Sequence, residues 1–294
     1  MRRKNQLHSV HCARAAFTLV EVLVVVAIIA LLIGILIPAL SRSREMSKEL
    51  ACLSNLRQLN IAGAAYAEAN NDLYPIGPCY YQGGTKHFED TTATTGCVFD
   101  SWDYGGKTVS DYWKGSVAAY KTIAQRALNP FATEEELIDS PKGRKELPIY
   151  KCPSDPGTLQ RGWFSPPDYN DPRVTCYDDV GTSYQINVRW WFVACEIDHV
   201  SPYGNNIAEW RKYKTMFRTA SFAAPSRFAW LYDQNMDFVA NTQNPHQGDH
   251  GGLNLACVGY MDGHAKYTQV EQGKPDTTEY TLLIKKPPEV IPNP

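Results

Sequence analysis

The stretch Phe17 to Leu40, FTLVEVLVVVAIIALLIGILIPAL, constrains this chain more than any other. From Val22 to Leu40 no side chain is charged or hydrogen-bonding, a run of nineteen residues. As a helix that run measures roughly 28 Å, close to a bilayer core of about 30 Å. Glu21 stands at its entrance, where a carboxylate facing lipid costs a few kcal/mol. A plain membrane anchor has no use for that Glu. Ahead of it lie Arg2, Arg3, Lys4 and Arg14 and no acid, a charge bias that holds the N-terminus in the cytoplasm and sends the rest across. A secretory signal has its small-residue cleavage site after the apolar core. Here the small residues, Ala15 and Ala16, come before it, so cleavage leaves the apolar helix on the mature chain.

The 294 residues carry a formal net charge of -2, which gives no electrostatic case for nucleic acid as a partner. With 17 Tyr, 7 Trp, 20 Gly and 19 Pro, the part after the apolar segment reads as a loop-rich, partly β domain. Eight cysteines are present and none forms a CxxC pair, so zinc-site spacing is absent. In an exported domain disulfides are expected, and the Gly/Thr-rich segment between Cys79 and Cys97 makes that pair the disulfide candidate.

Beyond Leu40 the helical pattern continues, with Met46, Leu50, Leu53 and Leu56 as one apolar stripe. It is expected to end near Asn70-Asn71-Asp72. Residues 73–107 read as an irregular loop. Ser110 to Leu128 reads as a second helix capped by Ser110, and Thr133 to Glu136 as the opening of a third. Ser183 to Ala194 and Phe228 to Tyr232 have the bulky, β-branched content of buried strands. Leu253 to Tyr260 and His264 to Gln269 flank Asp262-Gly263, a hairpin signal. The tail, KKPPEVIPNP, reads as extended.

Ala16-Phe17-Thr18-Leu19-Val20-Glu21 resembles the processing motif of type IV prepilins and type II secretion pseudopilins. The resemblance implies cleavage by a prepilin peptidase between Ala16 and Phe17 and N-methylation of Phe17. It implies that Glu21 neutralises a neighbouring subunit's N-terminal amine during assembly, and that Pro38 bends the helix. Ala16 stands where the family usually has Gly. Cys52 with Asn55 to Leu59, the segment Tyr150-Lys151-Cys152-Pro153-Ser154-Asp155, Thr182 to Asn187, and a closing His-Gly-Gly…Asp-Gly-His are similar to landmarks of the pilin-like proteins expanded in planctomycete-type bacteria. In that group nine residues usually separate the closing His from Asp-Gly; here eleven separate His250 from Asp262.

The fold expected from this is α+β and pilin-like. Residues 1–16 are a cytoplasmic leader, 17–40 a transmembrane and filament-core helix, 41–72 its amphipathic continuation, and 73–294 a globular ectodomain on an antiparallel sheet with large loop insertions. The function implied is a structural subunit rather than an enzyme, assembled into a type II secretion-like pseudopilus or type IV pilus-like filament as a minor or specialised component. Its expected partners are the prepilin peptidase, other pilin-like subunits, the secretion or pilus assembly platform and the membrane. Its expected location is the inner (cytoplasmic) membrane, single-pass, with the ectodomain in the periplasm or outside. The alternative is an anchored ectodomain that binds a glycan or surface partner and never polymerises. Trp163-Phe164 and Trp190-Trp191 are its binding candidates.

Chemistry is sparsely signalled. Walker, GxSxG and HExxH motifs are all absent. Asp249, His250, Asp262 and His264, brought together across the hairpin, are the metal candidates, with calcium as the ion. Calcium prefers oxygen ligands, so two histidines argue against it and turn chemistry is favoured. Cys152-Pro153-Ser154-Asp155 reads as a tight turn rather than a nucleophile.

Overall fold

The structure is a computed structural model. It describes residues 19–72, 74–75, 102, 104–113, 122–141, 143–157, 174–187, 189, 224–240 and 245–283, and the backbone alone of 79–82, 85–88, 97–98 and 241. The chain divides into two compact units, Met1–Glu45 and Met46–Pro294. The first helix from Met46 onward falls in the second unit.

Helix α1 covers Leu19–Ala69 and passes through Pro38 without a break. Proline lacks an amide hydrogen and its ring crowds the carbonyl four residues back, which here is that of Gly34. At its far end Asp72 donates its amide to Ala67 O (2.7 Å) with Asn71 at φ 55°, and Asn70 Nδ2 donates to Tyr66 O (2.8 Å). A left-handed Asn followed by this wide backbone bond is a helix stop of the Schellman type. The end falls where the sequence places it.

The buried face of α1 includes Leu53 and Leu56 of the expected stripe but not its first two members. Met46 and Leu50 are exposed, and the buried stripe runs Cys52, Leu53, Leu56, Leu59, Asn60, Gly63, Tyr66 and Ala67. These positions recur at three and four residues, one face of a helix. They meet a four-stranded antiparallel sheet of order β4-β5-β6-β7, with β4 Tyr184–Ile186, β5 Ala229–Asp233, β6 Leu255–Tyr260 and β7 Ala265–Gln269. A long helix followed by a small antiparallel sheet is the α+β, pilin-like layout.

The sheet is buried on both faces, and alternation along β6 sorts the residues. Cys257 joins the α1 side together with Trp230, Leu231, Ile186 and Ala265. Ala256, Val258 and Tyr260 face the other way, against Met236, Val239 and Ala240 of helix α4 (Gln234–Asn241) and against Tyr280 and Leu282. A polar latch fixes helix to sheet. Trp230 Nε1 donates to Asn60 Oδ1 (2.8 Å), and Asn60 Nδ2 donates to His264 O (3.0 Å). Arg57 Nη2 adds a bond to Ala265 O (3.3 Å). Buried polar groups are tolerated when satisfied in this way, and the pattern sets one register for the helix.

Several loop-region expectations are corrected. Residues 73–107 are not wholly irregular, because β1 (Cys79–Gln82), β2 (Thr85–Phe88) and β3 (Cys97–Val98) form a small antiparallel sheet of order β2-β1-β3. No long helix fills Ser110 to Leu128 among the described residues: single 3₁₀ turns lie at Asp111–Trp113 and Ile123–Gln125. The reason is local competition. Ser110 Oγ donates to Asp179 Oδ1 (2.9 Å) rather than capping a helix, and Thr108 Oγ1 takes the Ile123 amide (2.8 Å). Helix α2 is Asn129–Ala132, opened by Pro130, and Thr133 is its extended C-cap, so the acidic run Glu134 to Glu136 follows a helix instead of starting one. Strand β4 is shorter than Ser183 to Ala194, whose residues 188 and 190–194 lie outside the described residues, as do Trp163-Phe164, Trp190-Trp191 and the tail from 284.

Gly63 packs directly under the Trp230 ring. A methyl group there would lie 2.5 Å from the Trp230 ring, and that ring is fully buried and held by Asn60. In an exposed helix Gly→Ala gains about 1 kcal/mol, whereas overpacking costs typically 1–3 kcal/mol. We expect Gly63→Ala to destabilise by about 1–2 kcal/mol net, read as a lower urea midpoint. Equal or greater stability contradicts this packing.

Candidate functional site

Two sites emerge, one in each compact unit. In the first, the large aliphatic side chains from Leu19 to Leu40 are all exposed, and Glu21 is exposed among them. The helix is long and apolar enough to cross a membrane, and none of its apolar stretch is buried in the protein. Leaving such side chains in water costs roughly 1.5–3 kcal/mol each. The sum far exceeds the few kcal/mol that one carboxylate costs in lipid. The segment therefore requires an apolar surrounding despite Glu21. Ala16 and Phe17 lie outside the described residues.

The second site is a buried cluster that none of the sequence motifs shows by itself. Cys52 comes from α1, Cys152 from the turn after the 3₁₀ helix Pro148–Tyr150, His250 from the loop ahead of β6, and Cys257 from β6. All four are buried. The donor atoms of Cys52, Cys152 and His250 lie within 4.8 Å of one another, with Cys152 Sγ 3.4 Å from His250 Nε2. Cys257 interacts with Cys52 through its side chain. Each of these cysteines is a thiol rather than half of a disulfide, as is Cys176, which sits in a separate core with Trp102 and Trp113.

Asp155 organises one wall of the cluster. Its amide donates to Cys152 O (3.2 Å), closing a turn over Cys152 to Asp155. Its carboxylate accepts from the amides of Gly157 (3.2 Å), Cys176 (3.0 Å) and Tyr177 (3.0 Å) and from Ser183 Oγ (2.6 Å). Ser183 Oγ in turn accepts the Cys152 amide (3.0 Å). The turn reading of Cys-Pro-Ser-Asp thus holds, and its Asp ties helix α3 (Cys176–Val180), β4 and Cys152 together. Burial raises the Asp155 pKa against the pull of these four donors.

Electrostatics single out Cys52. Its pKa is lowered because the thiols of Cys152 and Cys257 can donate to its sulfur, as can His250 and Tyr184, and this outweighs burial. Cys152 and Cys257 are raised by the same contacts with Cys52 and by burial. Burial lifts Asp233, which accepts the Cys257 amide (2.7 Å), to about 7. Burial, Asp233 and Asp155 raise Asp249 well above the usual carboxylate range.

The four residues expected to meet across the hairpin do not meet. Four residues, Met261 to His264, join β6 to β7. Gly263, at φ 97°, is the left-handed residue of this turn and donates its amide to Tyr260 O (3.0 Å). Asp262 and His264 pair there with each other (Oδ1 to Nδ1, 2.5 Å) in an exposed position. Asp249 and His250 precede the other end of β6, six residues long, or about 20 Å. A hairpin separates what lies at its mouth from what lies at its tip, and His250 belongs with the cysteines. For the disulfide candidate, backbone register sets Cys79 opposite Val98 and Cys97 opposite Tyr80; those side chains lie outside the described residues.

Residues 12–37 match the model of the prokaryotic N-terminal methylation motif. The chain carries the type IV prepilin and pseudopilin signature. The match covers most of the exposed apolar half of α1, the part whose surface the protein itself leaves uncovered. No curated protein and no solved structure matches the chain.

The Asp155 network gives a direct test. Asp155→Ala leaves its donors without an acceptor, each worth about 1–3 kcal/mol when buried. We expect a loss of about 2–4 kcal/mol in urea unfolding, with Asp155→Asn retaining part of it. A change below about 0.5 kcal/mol, the range of ordinary surface substitutions, contradicts the assignment.

Proposed function

We propose that this chain is a pilin-like structural subunit, made as a prepilin and assembled through its N-terminal helix. In this reading it enters the inner membrane with its leader in the cytoplasm and its ectodomain exported. A prepilin peptidase removes residues 1–16 and methylates Phe17. The helix then passes from lipid into the core of a pseudopilus or type IV pilus-like filament, together with other pilin-like subunits and an assembly platform. The carrying observation is the exposed apolar surface from Leu19 to Leu40 in the segment that bears the methylation signature. Lipid and a bundle of like helices are the two surroundings that satisfy it.

Glu21 discriminates assembly from mere anchoring. Two opposite charges inside an apolar bundle are tolerable when paired, whereas one alone is strongly destabilising. Glu21 would face the new amine of a neighbouring Phe17, so the carboxylate serves assembly and not insertion. The ectodomain, residues 73–294, is large for a repeating major subunit and favours a minor or specialised role. Its function is structural, with no catalytic step.

The unmodified chain should give a ladder of cross-linked multimers, and Glu21→Ala should abolish it while leaving the chain membrane-bound and folded. In-cell cross-linking followed by immunoblotting of membrane and sheared fractions reads this. A ladder unchanged in Glu21→Ala contradicts assembly through this residue and leaves the anchored, non-polymerising binder.

A further inference from the structure

We propose that Cys52, Cys152 and His250, with Cys257 as fourth donor, form a closed structural site for a thiophilic metal ion of the zinc class. The site lies within the globular unit and does not depend on the prepilin reading.

The donor set is that of structural zinc, three cysteine sulfurs and one imidazole. With Zn–S near 2.3 Å and Zn–N near 2.0–2.1 Å, tetrahedral sulfur and nitrogen ligands sit about 3.5–3.8 Å apart. Cys152 Sγ and His250 Nε2 are already at 3.4 Å, and the triad that includes Cys52 closes within 4.8 Å. Small side-chain rotations complete it. The donors come from four separate segments, so one ion would cross-link α1, the Cys152 turn, the loop before β6 and β6. They are 0%, 2%, 7% and 1% exposed in the order Cys52, Cys152, His250, Cys257. Such burial fits a structural site rather than an open catalytic one.

A disulfide between two of the cysteines would instead use two of the four donors. Calcium does not fit, because it takes oxygen ligands and this donor set is sulfur and nitrogen. Binding releases the thiol protons to solvent as the metal–sulfur bonds form, with no change of oxidation state.

The test uses the full chain extracted from membranes in detergent without added chelator. Elemental analysis should find one zinc per chain. Exchange for Co²⁺ should give a thiolate-to-cobalt charge-transfer absorption that is lost in Cys152→Ser and His250→Ala. Cys257→Ser should lower its intensity, and Cys176→Ser, in a different core, should leave it unchanged. The unmodified chain gives a second readout should a variant fail to fold: chelation lowers its melting temperature, and after denaturation with chelator but no reductant Cys52, Cys152 and Cys257 all alkylate in peptide maps. Overturning results are a metal-free chain in which Cys52 and Cys152 resist alkylation until reduced, or a cobalt spectrum that survives both Cys152→Ser and His250→Ala.

Discussion

One helix has to satisfy two different surroundings, and the rest of the molecule follows from that constraint. The first part of α1 is apolar on every side, with all its large aliphatic residues from Leu19 to Leu40 exposed. The second part is one-sided, burying Cys52, Leu56, Leu59, Asn60, Gly63 and Tyr66 while Met46, Leu50 and Ile61 stay outside. An all-round apolar helix belongs in lipid or among other helices, and a one-sided helix belongs on the surface of a core. The boundary between the two compact units, after Glu45, falls where the side-chain pattern changes from the first kind to the second.

Within the globular unit, the seam between α1 and the sheet carries both packing and polar specificity. Gly63 admits the Trp230 ring, Asn60 holds its Nε1, and the same Asn60 reaches the backbone of His264 beyond the β6–β7 turn. Hydrophobic contact would allow α1 to slide along the sheet. Two directional bonds from one buried amide do not. Two turns earlier on the same helix, Cys52 meets Cys152, His250 and Cys257. The fold thereby converts landmarks about one hundred and two hundred residues apart in sequence into one buried cluster.

The elements with strong local signals were legible in the sequence. The apolar run, the Asn70–Asp72 stop, strand β5 and the Asp262-Gly263 turn all rest on short-range physics. What stayed hidden depends on distant partners. Ser110 looks like a helix cap until Asp179 takes its hydroxyl. Met46 and Leu50 belong to the same apolar stripe as Leu53 and Leu56, yet only the latter two meet the core. His250 and His264 look like a pair in sequence because a hairpin joins them, yet strand length puts them at opposite ends. Cys52, Cys152 and His250 each stood inside a landmark already noted, but no spacing rule links residues on a helix, a turn and a loop. The cluster's signal was the co-occurrence of buried-type Cys and His in three separate motifs.

The most direct measurement of the central claim is the mass of the mature N-terminus, taken from membrane-extracted chain in cells with an active prepilin peptidase. A prepilin-type subunit gives a chain beginning at a methylated Phe17, with Glu21 as its fifth residue. An intact Met1 terminus, or cleavage after the apolar run, contradicts it.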